Sequence, residues 1–228
     1  MSNELKITPI AYIKTDFPEK FGVPRQSGIV NSAKGVIVFV KEFRDGQAIR
    51  NLEDFSHIWL LWGFSENERK WSHTVRPPKM GGNKRVGVFS SRSPYRPNPI
   101  GLSSVKIEKI SFDNTLGPVI YVAGADMVDG TPIYDIKPYI PYSDCHTDAT
   151  AGYSKNKTQA QLDVLFEKEI EDKLPCDVKE TITDLLMQDP HPSYKKDSDK
   201  IYNLSYGDYD IKFTHNGSFI TVCDVIKH

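Results

Sequence analysis

The residues best suited to chemistry lie in one proline-rich stretch, residues 87–107, which reads GVFSSRSPYRPNPIGLSSVKI. Its prolines fix the backbone φ angle, remove amide donors and push each preceding residue into an extended conformation. We therefore expect a stiff, extended segment between strands at 86–89 and 102–107. Arg92 and Arg96 lie on it, and a guanidinium on a preordered backbone loses little entropy when it binds a carboxylate, a phosphate or a base edge. We interpret the stretch as a binding loop; the alternative is a rigid hairpin connection with solvated arginines.

Two other loops carry groups that could contact a ligand. Pro24, Arg25 and Gln26 combine a stiff residue, a planar cation and an amide that both donates and accepts hydrogen bonds. The turn DGTP at 129–132 offers a carboxylate, a hydroxyl and free backbone groups within a short span. The first loop could equally be solvated, and the aspartate of the second could simply cap its own turn.

The elements that would position these loops are mainly strands. Continuous β-branched and aromatic runs predict buried strands at 35–40 and 57–64. Residues 105–110 and 119–123 are expected to pair across the turn at 113–117. No Gly-rich fingerprint follows a strand, and strands do not alternate with long helices, which disfavours a doubly wound nucleotide-binding fold.

Helical patterns appear only towards the end of the chain, after the polar segment 144–157. A capping box at Thr158 and Gln161 predicts a helix that runs to Ile170, and a second helix is expected to begin at Asp177. A hairpin across Asn216 and Gly217 would follow. The order of elements predicts a mainly β fold: a single-sheet β-barrel domain at 1–145 and a small α+β domain at 146–228.

The composition is that of an ordinary globular protein, with 39% hydrophobic and 26% charged residues among 228. No apolar run approaches the roughly 20 residues that span a bilayer, so we expect no membrane partner. Cys145, Cys176 and Cys223 are odd in number and dispersed, which indicates reduced thiols in a cytoplasmic protein. Because no paired Cys or His residues stand at zinc spacing, no metal is expected.

Charge is unevenly distributed along the chain, although the formal net charge is only −1. Residues 69–109 contain ten Lys or Arg and one acid, Glu108. Such a stripe is typical of a surface that binds a phosphate-rich partner. It is also compatible with a basic face that a neighbouring acidic face balances.

The string RSPYRPNPIGLS resembles the signature of the TsaA-like (TrmO) family of S-adenosylmethionine-dependent tRNA (adenine-N6)-methyltransferases. The strings FGVPRQ, LEDFSHIWLL, VRPP and DGTPIYDIKPYIPYSD are similar to family blocks and occur in the same order, so the resemblance covers residues 7–144. The chain departs from the pattern at Ser65 and Glu66, where bacterial members carry His-Gln. It departs again at 189–194, where DPHPSY stands in place of DPRPAY.

The resemblance implies a homodimeric β-barrel enzyme that binds S-adenosylmethionine and methylates N6 of N6-threonylcarbamoyladenosine at tRNA position 37. Matched motifs assign these cofactor contacts: Pro24, Arg25, Gln26, Ser65, Glu66, Arg92, Leu102, Asp129, Gly130, Thr131 and Pro132. Arg92 would pair with the cofactor carboxylate, and Arg96 and Asn98 would face the tRNA. The resemblance assigns no catalytic residue; Asp129 is the one candidate base, or none is needed. Two other functions stay open: a non-catalytic RNA-binding barrel, and a methyltransferase with a different acceptor.

Overall fold

A computed structural model describes residues 5–67, 70–77, 80, 84–154, 162–170, 173–190 and 200–228. The strands in the first part of the chain are β1 (Ala11–Thr15), β2 (Lys34–Phe39), β3 (His57–Gly63), β4 (Thr74–Val75), β5 (Val86–Gly87), β6 (Ile100–Asp113), β7 (Gly117–Ala123) and β8 (Thr131–Pro138). The later elements are helix α1 (Pro141–Asp144), β9 (Asp163–Phe166), helix α2 (Cys176–Met187), β10 (Tyr202–Tyr206), β11 (Tyr209–His215) and β12 (Phe219–Lys227). Short 3-10 turns lie at Lys41–Phe43, Gly46–Ile49, Leu52–Asp54, Val88–Ser90 and Gly152–Ser154.

Six strands form a closed antiparallel barrel in the order β1-β2-β7-β6-β3-β8. Alternate residues of each strand point inwards, and Ile13, Ile37, Ile58, Ile120 and Ile133 are fully buried there. Closure leaves no exposed sheet edge, since β1 pairs with both β2 and β8. The mainly β fold and the single-sheet barrel are therefore confirmed.

The register of β3 against β6 brings two loops together at one end of the barrel. Trp62 of β3 pairs with Gly101 of β6, so the loop that follows β3 meets the proline-rich loop that precedes β6. The amide of Phe64 donates to the carbonyl of Pro99 at 3.0 Å. A Cβ atom at position 101 would lie 2.2 Å from the indole carbon Cε2 of Trp62. Glycine is thus required for the close packing at this end.

A second sheet, in the order β10-β11-β12-β9, packs with α2 around its own core. The β1–β2 loop contributes Phe17, Val30 and Ala33 to that core. A backbone hydrogen bond also joins the C-terminal sheet to this loop, since the Gly207 amide donates to the Asp16 carbonyl at 2.8 Å. The C-terminal sheet therefore holds the loop that leaves the first barrel strand. The division into domains at residues 145 and 146 stays a prediction.

Two local predictions were wrong, and one alternative is excluded. Residues 163–166 form β9, parallel to β12, where a helix was expected; pairing of Asp163 with Phe219 outweighs the helical pattern of a short segment. The strand expected at 86–89 ends at Gly87 and continues as a 3-10 turn. The proline-rich loop is not a hairpin connection, since β5 pairs with β4 whereas β6 pairs with β3 and β7.

Other predictions were confirmed. The strands at 35–40 and 57–64 correspond to β2 and β3, and β6 and β7 pair across the turn before Gly117. The helix expected from Asp177 corresponds to α2, and β11 and β12 form the C-terminal hairpin. The capping box at Thr158 and Gln161 lies outside the described residues, as do residues 191–194 of the DPHPSY segment.

Candidate functional site

A cavity of about 500 Å³ opens at the end of the barrel where β3 ends and β6 begins. Most of its lining comes from residues 20–26, 59–67, 91–96, 100–103 and 126–131. Its volume lies within the range of pockets that enclose small ligands. The barrel fold therefore gathers segments far apart in sequence around one ligand-sized space.

Most of the predicted contacts meet in this cavity. Those that line it are Pro24, Arg25, Gln26, Ser65, Glu66, Arg92, Arg96, Leu102 and Thr131. Asp129, Gly130, Pro132 and Asn98 do not. Asp129 instead accepts a hydrogen bond from the Thr15 amide at 3.0 Å, which ties its turn to the end of β1. The ligand contacts of all these residues stay predictions.

Arg92 and Gln26 bridge the proline-rich loop and the β1–β2 loop across the cavity. Arg92 Nη1 donates to Gln26 Oε1. The guanidinium is exposed, and it carries five N–H donors, so this contact leaves several donors for an anion. The pair is suited to holding a carboxylate at the rim.

Arg96 uses its guanidinium to stiffen its own loop. Nη1 donates to the carbonyl oxygens of Val88 at 3.1 Å and Ser91 at 2.7 Å. The guanidinium carbon lies 5.6 Å from the centre of the Phe89 ring. These contacts add to the proline-imposed rigidity, and they reduce the donors that Arg96 can offer to RNA.

Two further contacts hold the β1–β2 loop in place beside the cavity. Arg25 Nη2 donates to the carbonyl of Asp189, just beyond the end of α2, at 3.1 Å. Lys20 Nζ lies 3.5 Å from Glu66 Oε2, so an ion pair connects this loop to the loop after β3. The cavity wall thus depends on both the barrel and the C-terminal sheet.

Asp126 is a cavity residue that the sequence reasoning missed. Trp62 Nε1 donates to Ser103 Oγ at 3.0 Å, and Ser103 Oγ donates to Asp126 Oδ1 at 2.7 Å. Burial raises the pKa of the Asp126 carboxyl to about 6, against the opposing effects of the Ser103 hydrogen bond and the Arg92 charge. The available signal was its position, since an acid in the loop shortly after the end of a buried strand is placed to face a ligand.

The described part of the chain lacks several other kinds of site. None of its helices has the length and apolar character needed to cross a membrane. No three His, Cys, Asp or Glu side chains converge in these residues as a metal site would require. The described cavity lining contains neither His nor Cys, the usual nucleophiles and bases of covalent catalysis. The arrangement is suited to binding and orienting a ligand next to one half-buried carboxylate, that of Asp126.

Comparison with known proteins gives consistent matches over the chain. The model of the tRNA-methyltransferase O N-terminal domain matches residues 12–145, and that of the TrmO C-terminal domain matches residues 159–228. The chain is 38% identical over 213 residues to the tRNA (adenine(37)-N6)-methyltransferase of Escherichia coli (strain K12), with 90% of each protein covered. It is 36% identical over 228 residues to the putative S-adenosylmethionine-dependent methyltransferase RcsF of Pseudomonas aeruginosa, with 96% of each covered. The crystal structure of TrmO from P. aeruginosa superposes with a TM-score of 0.80 at 30% identity, over 100% of this chain and 99% of that one.

Proposed function

We propose that this chain, which belongs to the tRNA-methyltransferase O family, is a tRNA (adenine(37)-N6)-methyltransferase that uses S-adenosylmethionine. The observation that carries the proposal is the cavity of about 500 Å³, because the matched motifs converge on it from distant parts of the chain. The acceptor that we propose is N6-threonylcarbamoyladenosine at tRNA position 37.

The residues of the cavity fit S-adenosylmethionine in size and chemistry. The rings of Trp62 and Phe64, 4.4 Å between centres, provide an apolar wall against which an adenine can pack. Arg92 and Gln26 would hold the cofactor carboxylate, since a guanidinium binds carboxylates through paired, charge-assisted hydrogen bonds. When bound, the cofactor supplies an electrophilic methyl group on a sulfonium sulfur.

The protein's main task is alignment of the acceptor nitrogen. The N6 lone pair is delocalised into the adenine ring and into the threonylcarbamoyl group, so N6 is a weak nucleophile. Holding two reactants in line can supply about 7–11 kcal/mol in favourable cases. The Arg96 contacts and the three prolines of the loop keep this side of the cavity rigid, which supports such alignment.

The RNA would approach over the cavity mouth. Trp71 and His73 lie with ring centres 4.3 Å apart and are suited to stacking on an unpaired base. Among the residues of the stretch 69–109 that the structure describes, the cations do not form one continuous surface, however. Arg92 and Arg96 line the cavity, whereas Lys109 lies over Tyr121, which borders a separate hollow of about 310 Å³. We therefore exclude Lys109 from the surface that would meet the RNA at the cavity mouth.

We also propose that the protein acts as a homodimer in the cytoplasm. Leu102 and Phe89 are 57% and 74% exposed, and Leu102 lines the cavity. Apolar side chains exposed to this extent are suited to burial against a second copy. Cys145, Cys176 and Cys223 are free thiols, as the reducing cytoplasm favours. Sedimentation of the purified protein tests the dimer: a monomer at micromolar concentration would contradict it.

The test of the reaction is methyl transfer from labelled S-adenosylmethionine to tRNA with and without the threonylcarbamoyl group. We expect transfer only to the modified tRNA. Cofactor binding without transfer to either tRNA would favour a different methyl acceptor. Salt-dependent tRNA binding without cofactor binding would favour a non-catalytic RNA-binding barrel.

A further inference from the structure

The Asp126 backbone is fixed by the barrel and by the β1–β2 loop. The amides of Gly124 and Ala125 both donate to the Ala33 carbonyl, at 2.8 and 3.2 Å. Gly124 adopts a positive φ of 77°, which turns the chain sharply after β7. The turn directs the segment that begins at Asp126 along the cavity instead of continuing the strand.

The carboxyl group is oriented by a directional chain of hydrogen bonds. An indole N–H only donates, so Ser103 Oγ accepts from Trp62 and its own proton is directed to Asp126 Oδ1. The backbone amides of Ser27 and of Asp126 itself also donate to the carboxylate. A carboxylate has about four acceptor sites. With three donors on it, the carboxylate keeps about one acceptor site free for a proton from a ligand in the cavity.

Charge distinguishes Asp126 from the other acid in the described lining. Glu66 is exposed and forms an ion pair with Lys20. Asp126 forms no ion pair within the described residues, and Arg92 is the cation whose charge acts on it. The other charged side chains of the lining are Lys20, Arg25, Glu66 and Arg96. Lys20 pairs with Glu66, while Arg25 and Arg96 donate to backbone carbonyl groups, so none of these three cations forms an ion pair with Asp126.

The proposed reaction requires a proton acceptor, because N6 of the acceptor nucleoside carries one hydrogen and the methylated product carries none. We propose that Asp126 is the general base that removes this proton, an inference that rests on the proposed function. The N6–H bond breaks and the proton moves to the carboxylate. The N6 electron pair forms the bond to the methyl carbon, while the electrons of the methyl–sulfur bond remain on sulfur. The proton then leaves to solvent through the open cavity.

The acidity of the group suits this role. With its pKa raised to about 6 by burial, Asp126 is ionised at neutral pH and binds a proton more strongly than an ordinary carboxylate. General bases work best when their pKa lies near the operating pH. Asp129 shows no comparable environment, since it is exposed and lies outside the lining.

The test compares Asp126→Asn with Asp148→Asn in the full chain. Asp148 is an exposed acid outside the cavity, so its variant controls for loss of one negative charge. We would measure single-turnover methyl transfer to modified tRNA between pH 5 and 9 at saturating cofactor. Calorimetry would measure the affinity for S-adenosylhomocysteine. Carboxyl-detected NMR titration of the free protein would measure the Asp126 pKa.

We expect Asp126→Asn to slow transfer by about 100-fold or more, the usual range for a lost general base, and to remove the acidic limb of the pH profile. The affinity for S-adenosylhomocysteine should change by less than about threefold, and the NMR titration should give a raised pKa. Loss of affinity that equals the loss of rate would overturn the proposal, because Asp126 would then hold the cofactor. An active wild type with an unaffected variant would overturn this inference alone, whereas a wild type that methylates no tRNA would overturn the proposed function with it.

Discussion

Asp126→Asn should stabilise the free protein at pH 8 and leave its stability almost unchanged below pH 4. Burial raises the pKa of this carboxyl from 3.8 to about 6 in the folded state, so folding favours the protonated form. The stability that the protonated group contributes is complete below the unfolded-state pKa and is lost as the pH rises through about 6. Asparagine cannot ionise, yet its side-chain oxygen can still accept from Ser103.

The magnitude follows from the size of the pKa change. At roughly 1.4 kcal/mol for each pKa unit, the ionised carboxylate costs the fold about 3 kcal/mol above pH 7. About half of this cost develops between pH 5 and pH 8, since the unfolded chain already ionises below pH 5. Asp126 is only half-buried, so we expect a gain of about 1–3 kcal/mol for the variant at pH 8.

Urea unfolding of the wild type, Asp126→Asn and Asp148→Asn at pH 5, 6, 7 and 8 would measure this dependence. The free energy of unfolding of Asp126→Asn relative to the wild type should rise with pH, while that of Asp148→Asn stays level. Unchanged denaturant slopes would show that the unfolded states are comparable. A difference that is the same at pH 5 and pH 8 would refute the reasoning, because the carboxylate would then be as well solvated as in the unfolded chain.

Three other substitutions test separate parts of the site. Arg92→Lys keeps the charge but loses the planar fork that bridges to Gln26, so calorimetry should show affinity for S-adenosylhomocysteine reduced by about tenfold; unchanged affinity would remove Arg92 from the cofactor site. Gly101→Ala places a Cβ atom 2.2 Å from the Trp62 ring. This substitution should lower the free energy of unfolding, measured with urea, by about 1–3 kcal/mol. An unaltered urea midpoint would mean that the Trp62 ring moves aside at no energetic cost. Phe213→Ala removes a fully buried ring that stacks on Phe21 of the β1–β2 loop. It should cost about 3–5 kcal/mol and also weaken cofactor binding by the folded protein, whereas full cofactor affinity would show that the loop holds its position without the C-terminal sheet.

The sequence allowed much of the fold to be predicted, because strand patterns and turn chemistry are local. The runs that became β2 and β3 are strongly apolar, and the turn before Gly117 carries its own signal. The segment that became β9 could not be assigned in this way. Val164 and Phe166 face the C-terminal core, but so short a segment fits a helical period equally well. Its pairing with β12 decided the outcome.

The same distinction between local sequence signals and tertiary contacts applies to the candidate site. Stiffness of the arginine-bearing loop follows from Pro94, Pro97 and Pro99 alone, since proline restricts the backbone wherever it stands. Only the tertiary structure decided that Asp126 lies in the cavity. Its hydrogen-bond partner Ser103 is 23 positions away in sequence, and Trp62, whose indole orients Ser103, is 41 positions from Ser103. The same holds for the Arg25 contact with Asp189, across 164 positions. A carboxyl pKa depends on burial and on the charges around it, and barrel closure creates both.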